Sequence, residues 1–381
     1  MKIIYPYPMH ISKGHTYMLS IMQFLNSLAE LTSIDLLCLD NKESISRYLK
    51  NNLGVELNSN LNIVQISNKK FGIKSNKFFF ISNTLKYVKT IKHEKLIIYT
   101  RDFKQMRLCI QSLQNSNRNI KFIFEVHQIL SQNYQKENDL RNAMKMKKLE
   151  EYVFNNVDSL VCITSTLSDE IKRIFSNCTN DHLTLPVGFN KNFMQINQSI
   201  SKKYDIFYSG NFSKWKGLDF LLEAIAIIKN NGFSNISALL IGSDNSSKKY
   251  YESKAERLGI SKNIKILKRI EHKKIYGFIS ESKVGVVPNS TEGDGMMYTS
   301  PLKLYEYLGS GIKVVVSRLP SIESNIPNEL VYFANPESPE SLATQIINAL
   351  NDKNYDLKSV KNFAKNFTWE KRAKNLMDFI K

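Results

Sequence analysis

The four cysteines of this 381-residue chain, Cys38, Cys109, Cys162 and Cys178, show no paired spacing, so no disulfide framework is written into it. Three of them lie in or beside apolar runs and read as small core residues in a reducing compartment. No window approaches the ~20 apolar residues of a membrane span. Lys2 leads straight into Ile3, Ile4, Tyr5 and Pro6, without the apolar run of a secretory leader. No Gly-x-Gly-x-x-Gly follows that first strand, where a dinucleotide enzyme would carry it, and no Walker A loop is present. Repeats and low-complexity tracts are also absent. These absences lead to the expectation of a cytosolic protein.

What is present fits a globular chain: 42% hydrophobic residues and 11% aromatics. The length suits two domains of about 150–200 residues each. With 53 Lys+Arg against 35 Asp+Glu the formal charge is +18, and both halves are basic. Such a surplus favours phosphates, nucleic acid or an anionic membrane face. Lys, Asn and Ile abound throughout, so drift in composition explains the charge as well as a patch does. No recognisable nucleic-acid module accompanies it.

Short apolar runs alternate with amphipathic segments. Strands are expected at 2–5, 34–39, 62–66, 96–99, 121–124, 159–163 and 183–185. Helices are expected near 14–30, 43–51, 78–91, 103–114, 136–155 and 166–176. The polar stretch 186–201 reads as a linker. The alternation then restarts, with strands at 205–209, 237–241, 263–267, 284–287, 313–317 and 330–333 and helices near 217–230, 247–258, 272–280, 301–309 and 339–351. This is the pattern of two parallel sheets covered on both faces. In such sheets ligands sit beyond the carboxyl ends of the strands. The tail, TWEKRAKNLMDFIK, places Trp369, Ala373, Leu376, Met377 and Ile380 on one helical face behind a Thr368 cap.

The stretch 288–311, PNSTEGDGMMYTSPLKLYEYLGSG, organises the second half. Ser300 and Pro301 are expected as N-cap and first residue of a helix. The free N–H groups of Leu302 and Lys303 then meet the positive end of a helix dipole, which suits a phosphate. Lys303 adds a full charge where a helix normally disfavours one. Glu306, the only carboxylate of that helix, lies about one turn on, able to accept from a pair of sugar hydroxyls. An ordinary capped helix on a sheet has much the same sequence. Upstream, YSGNFSKWKGLDFLLEA (208–224) ends a strand at Gly210 and sets Lys216 at the mouth of a helix. Taken alone, Lys216 reads as a solvated loop lysine.

The order GNFSKWKG, an apolar strand ending in Pro288, SPLKLYEYLGSGIKVVVS and FTWEKRA resembles glycosyltransferase family 4, retaining enzymes of the GT-B fold. In the first half, YTRD (99–102) and FIFEVH (122–127) are similar to that family's Arg and Glu-x-His strand pair. The resemblance implies two Rossmann-like doubly wound α/β domains facing each other across a cleft. An acceptor-binding domain would take 1–190, a nucleotide-sugar-binding domain 202–365, and a C-terminal helix, 366–381, would cross back onto the first. It implies that Lys216 binds the donor's diphosphate, with Gly210 giving the backbone room and Asn211 beside it. Ser300, Leu302 and Lys303 would hold the phosphates, Glu306 the ribose, and Arg269 and Ile270 the base. His127 would face the donor sugar, with Glu125 two residues before it. Arg101, Glu125, Gly14 and His15 would lie on the acceptor side. His127, Glu306 and Lys216 are then the residues expected to carry catalysis.

Two positions depart from the family's pattern. Asn211 stands where a basic residue is usual, and Tyr298 replaces the first of two glutamates separated by seven residues. A hydroxyl or N–H from Tyr298 and Thr299 would have to replace that carboxylate. The implied chemistry breaks the bond to a nucleoside diphosphate early, leaving an oxocarbenium-like sugar. Lys216, Lys303 and the helix dipole would stabilise the leaving phosphate, so neither cofactor nor metal is expected. The Glu292-Gly293-Asp294 run reads as a turn rather than a metal site. Retention would come by same-face attack, the departing phosphate helping to take the acceptor's proton.

His93, His182 and His272 read as surface residues. The basic amphipathic segment 138–154 suits an anionic lipid surface or a solvated face, so peripheral contact with the inner face of the cytoplasmic membrane is one expectation. The reading is a glycosyltransferase using a UDP- or GDP-sugar, with a glycan or lipid-linked acceptor in surface-polysaccharide assembly, and no nucleic-acid partner. The alternative is a non-catalytic nucleotide-sugar-binding subunit, motivated by Asn211 and Tyr298.

Overall fold

The structure is a computed structural model, and it describes residues 1–13, 16–70, 73–74, 78–93, 95–116, 118–178, 180–292 and 298–381. It divides into two compact units, Met1–Pro186 with Trp369–Lys381, and Val187–Thr368.

In the first unit, seven parallel strands are ordered β3-β2-β1-β6-β7-β8-β9. They are β1 (Lys2–Pro6), β2 (Ser33–Cys38), β3 (Leu61–Gln65), β6 (Lys95–Thr100), β7 (Asn119–Val126), β8 (Ser159–Cys162) and β9 (Asp181–Thr184). A small antiparallel ribbon, β4 (Lys69–Lys70) and β5 (Ile73–Lys74), lies outside the sheet and was not anticipated. Two-residue strands are too short to leave a period in the sequence. The expected helix over 136–155 is two helices, Leu130–Lys136 and Leu140–Asn156. Asn138 breaks them at φ 59°, and Asp139 caps the second by accepting from the Asn142 N–H. Asn tolerates this left-handed conformation better than most residues.

In the second unit, six parallel strands run β12-β11-β10-β13-β14-β15. They are β10 (Tyr204–Ser209), β11 (Ala238–Ser243), β12 (Ile264–Lys268), β13 (Ser282–Val287), β14 (Lys313–Ser317) and β15 (Tyr332–Ala334). Both sheets read as near-continuous Val/Ile/Leu runs because helices cover both faces. In each, the strand order reverses at one place, between β1 and β6 and between β10 and β13, and there the carboxyl ends of the strands open a crevice.

The stretch 186–201 is not a bare linker. Phe189 and Phe193 are fully buried in the second unit's core, and Lys191–Gln195 forms a 3-10 helix. The Phe189 ring fills the space a side chain on Gly309 would need, 2.1 Å from where its Cβ would lie. The polar residues around these two rings hide the pair from a periodicity argument. The tail helix, Trp369–Ile380, buries all five anticipated apolar positions and also Arg372. No helix among the described residues is long and apolar enough to cross a membrane.

Candidate functional site

At the carboxyl end of β10, the chain turns through Gly210 at φ 146°, a conformation that L side chains rarely adopt. A Cβ there would come within 2.6 Å of the Lys303 Nζ. The loop continues through a 3-10 turn, Lys214–Lys216, to Gly217 at φ 69°, whose missing side chain lets the Pro288 carbonyl pack against the backbone. The Ser290 N–H donates to the Trp215 carbonyl at 2.9 Å, tying this loop to the end of β13. Lys216 lies over the Trp215 ring, 3.3 Å from its centroid, and burial lowers its pKa to about 7.

The helix Leu302–Ser310 begins one residue later than the sequence suggests. Pro301 occupies the cap position, with no side-chain cap bond. Ser300 is not the cap: its hydroxyl accepts from the Val187 N–H at 3.2 Å, because the residue before a proline is pushed towards extended backbone. Leu302 and Lys303 thus carry the N–H groups at the start of the helix. Tyr307 anchors the helix to β10, its hydroxyl accepting from the Ser209 N–H at 2.9 Å.

Lys303 is buried, with its ammonium 3.7 Å from the Tyr208 ring centroid. Its Nζ has no hydrogen-bond partner among the described residues. Burial drives its pKa well below the ordinary lysine value; the charge of Lys216 acts in the same sense and Glu306 opposes both. Asn289, just past the end of β13, is likewise buried, with neither side-chain polar atom partnered among the described residues. Buried polar groups without partners are rare, and each calls for an explanation such as a ligand.

Glu306 is buried one turn beyond Lys303, and its Oε1 lies 2.7 Å from the His272 Nε2. His272 is therefore not the surface residue its polar neighbours suggest. Its side chain is only 13% exposed and packs against Phe193 and Tyr276. The sequence carries no signal for this, since Glu271-His272-Lys273-Lys274 reads as a solvated turn. Tyr298 is buried, and Thr299 and Ile270 are half-buried. Arg269 is exposed and continues the strand, its N–H donating to the Ser243 carbonyl. Asn211 is exposed, its carbonyl accepting from the Tyr208 hydroxyl. Glu292 pairs with Lys214 at the surface, whereas Gly293 and Asp294 lie outside the described residues. No group of three or more His, Cys, Asp or Glu side chains is poised for a metal among the described residues.

In the first unit, a second polar cluster sits at the carboxyl ends of β6 and β7. The Glu125 Oε1 lies 2.6 Å from the His127 Nε2, and its Oε2 accepts from the Tyr99 hydroxyl. Arg372 brings its Nη2 to 3.3 Å from the same Oε1. Burial acts to raise the Glu125 pKa, but Arg372 and the bond to His127 outweigh it and hold the carboxyl below its usual range. Burial also keeps His127 below the ordinary imidazole value despite Glu125. Arg101 lies over the rings of Tyr7 and Tyr17. Gly14 and His15 lie outside the described residues. Beyond the end of β2, Asp40 bonds with His10 at 3.0 Å and accepts from the Ser12 hydroxyl at 2.7 Å. His182, also expected at the surface, is half-buried and bonded to the Ser168 hydroxyl at 2.8 Å, whereas His93 is exposed.

Residues 189–367 match the family model described as Glycosyl transferases group 1. No curated protein matches the chain. Among solved structures, sucrose-phosphate synthase of Thermosynechococcus elongatus is 16% identical with a TM-score of 0.74, covering 100% of this chain and 98% of that one. The Anabaena HepE complex with UDP-glucose is 13% identical at a TM-score of 0.70, covering 100% and 99%. WaaG, a glycosyltransferase involved in lipopolysaccharide biosynthesis, is 11% identical at 0.66, covering 99% of each chain. At these identities the likeness is one of fold, two parallel-sheet Rossmann-like domains of the GT-B type. The second unit matches the glycosyl transferases group 1 model along nearly its whole length, and on that match the chain is a glycosyltransferase.

Proposed function

We infer that the donor is a nucleoside-diphosphate sugar whose diphosphate is held by Lys303 and Lys216 beside Gly210 and the N–H groups of Leu302 and Lys303. The carrying observation is the unpartnered, buried ammonium of Lys303. A cation in that state costs stability unless an anion arrives. Gly210 leaves the space in front of it clear. Glu306, with Oε1 engaged by His272, offers Oε2 to the ribose hydroxyls.

The family 4 reading and a retaining course rest on the motifs described above. As the sugar bond breaks, charge grows on the departing diphosphate, where two ammonium groups and a helix terminus meet it in a site of low dielectric. These groups supply the stabilisation themselves, so the proposed transfer runs without metal or cofactor. His127, held by Glu125, contacts the sugar, and Arg101 and Glu125 serve the acceptor, which the motifs suggest is a glycan or lipid-linked sugar of surface-polysaccharide assembly. The exposed Leu140 and Met144, with Arg141, Lys145 and Lys148 on the same helix, suit an anionic leaflet and support a peripheral place on a membrane.

A thermal-shift panel of UDP, GDP, CMP, ADP and NAD, with and without Mg²⁺, tests the donor site. A ligand at 100 times its Kd adds about 2.7 kcal/mol. Stabilisation by one nucleoside diphosphate without Mg²⁺, lost in Lys303→Met and weakened in Glu306→Ala, is the expected outcome. No shift with any diphosphate sinks the assignment.

A further inference from the structure

The face that the Trp369–Ile380 helix turns inward is apolar except for one residue. Arg372 is 3% exposed, and a charge so buried is costly unless it is paired and bonded. Its Nε donates to the Pro186 carbonyl at 3.0 Å, and its guanidinium lies 4.4 Å from the Phe24 ring centroid. Phe24 belongs to the helix Thr16–Leu28, which packs along the tail helix. The guanidinium therefore has a fixed position, and its Nη2 reaches the oxygen of Glu125 that His127 also contacts.

We propose that Arg372 is a positioning residue that holds Glu125 as a carboxylate and so fixes His127 as the Nε2–H tautomer, with Nδ1 presented as an acceptor to a substrate hydroxyl. This rests on the reading of His127 as a substrate contact.

An ionised carboxylate only accepts. Here it faces a guanidinium, the Tyr99 hydroxyl and an imidazole, each of which must donate. The imidazole nitrogen facing it therefore carries the hydrogen, and in a neutral ring the other nitrogen is left with a lone pair. The charged groups acting on the ring are Glu125 from β7, Arg101 from the end of β6 and Arg372 from the tail, and Tyr5, Tyr7 and Tyr99 from β1, the turn after it and β6 surround those three. Burial is the strongest influence against an imidazolium, Glu125 opposes it, and the two arginines add to burial, so the ring is held below the ordinary imidazole value. Among the described residues Arg372 keeps one nitrogen, Nη1, buried without a partner, a cost that an apolar residue in this helix face would not incur. The arginine is placed for its charge.

The test uses the full chain with ¹⁵N-labelled histidine, the His127 signals being assigned by His127→Asn. Near pH 7.5 the expected spectrum shows a protonated Nε2 and an unprotonated Nδ1; the opposite tautomer overturns the proposal without any further variant. In Arg372→Gln the His127 pKa is expected to rise, because one of the two positive charges that disfavour the imidazolium is removed. Arg372→Lys is expected to restore it. An unchanged His127 titration in folded Arg372→Gln also overturns the proposal. Neither readout needs a sugar donor, so failure of the donor assignment shows separately, in the nucleotide panel. In transfer assays, Arg372→Gln is expected to move the acidic limb of the pH–rate profile upward, whereas a merely structural arginine would scale the profile without moving it.

Discussion

His272 and Glu306 face each other at 2.7 Å, from Nε2 to Oε1, on segments 34 residues apart. The imidazole anchors one oxygen of a carboxylate that is itself 4% exposed at its side chain. A carboxylate so held cannot swing, and its second oxygen keeps one direction. That arrangement suits recognition of a rigid diol better than a free surface glutamate does.

Glu306→Gln is expected to weaken the nucleoside diphosphate by about 10- to 100-fold, since hydrogen bonds to charged groups contribute about 1.5–3 kcal/mol. His272→Asn should cost less, because it loosens the carboxylate without removing it. Calorimetric titration with ribose and 2′-deoxyribose forms of the same diphosphate checks the assignment. The wild type should discriminate between them and Glu306→Gln should not. Equal discrimination by both proteins would place the ribose elsewhere.

Lys303→Met should act in opposite directions on the empty and the loaded protein. It removes a buried amino group that has no hydrogen-bond partner among the described residues and keeps the volume of the side chain, so the ligand-free protein should gain stability, by about 1–3 kcal/mol. The same change should abolish the stabilisation given by the diphosphate. A thermal melt in each state reads both effects. A ligand-free variant that melts well below wild type would mean that Lys303 is satisfied in a way its surroundings do not show.

The alternation of apolar runs made both sheets legible, because parallel strands buried on both faces cannot be polar. The glycine and lysine positions near Gly210 and Lys303 were legible as a motif, and their proximity follows from adjacent ends of one sheet. What stayed hidden has a physical reason in each case. Phe189 and Phe193 sit in a polar stretch too short to show a period. His272 is drawn inward by a carboxylate 34 residues away, which no local pattern reports. Arg372 occupies an inward position of a helix whose apolar stripe reads well without it. Ser300 has the right chemistry for a cap, but the following proline and the Val187 N–H take it out of that role.

Lys216 supplies a pH dependence whose sign is fixed. Its native pKa of about 7 lies below the unfolded value of about 10.4. Between those values the unfolded chain binds a proton that the native chain lacks, so stability from this group rises as pH rises above 7. Diphosphate affinity should run the other way, weakening above pH 7 by up to about tenfold per unit as the ammonium is lost. Calorimetry at pH 8 in buffers of different ionisation enthalpy should show proton uptake on binding, reduced in Lys216→Met. No uptake would mean that the lysine is already charged in the free protein.

Glu150 gives the opposite slope from the other unit. It is fully buried on the Leu140–Asn156 helix and accepts from the Ser131 N–H at 3.2 Å and from the Ser131 hydroxyl. Burial raises its pKa to about 7, and the bonds from Ser131 and Leu130 oppose burial without overcoming it. The native state therefore holds a proton that an unfolded glutamate, with a pKa of about 4.3, gives up. Stability from this group is present in full below pH 4.3 and is lost as pH rises through 7, a change on the order of 3 kcal/mol. Glu150→Gln keeps an acceptor for Ser131 and removes the titration. It should leave stability near pH 5 almost unchanged and raise it at pH 8, flattening the profile between them. Urea unfolding across pH 5–8, comparing wild type with Glu150→Gln, measures the difference directly. Parallel profiles would show that the carboxyl is already ionised in the native protein and that Ser131 holds it so.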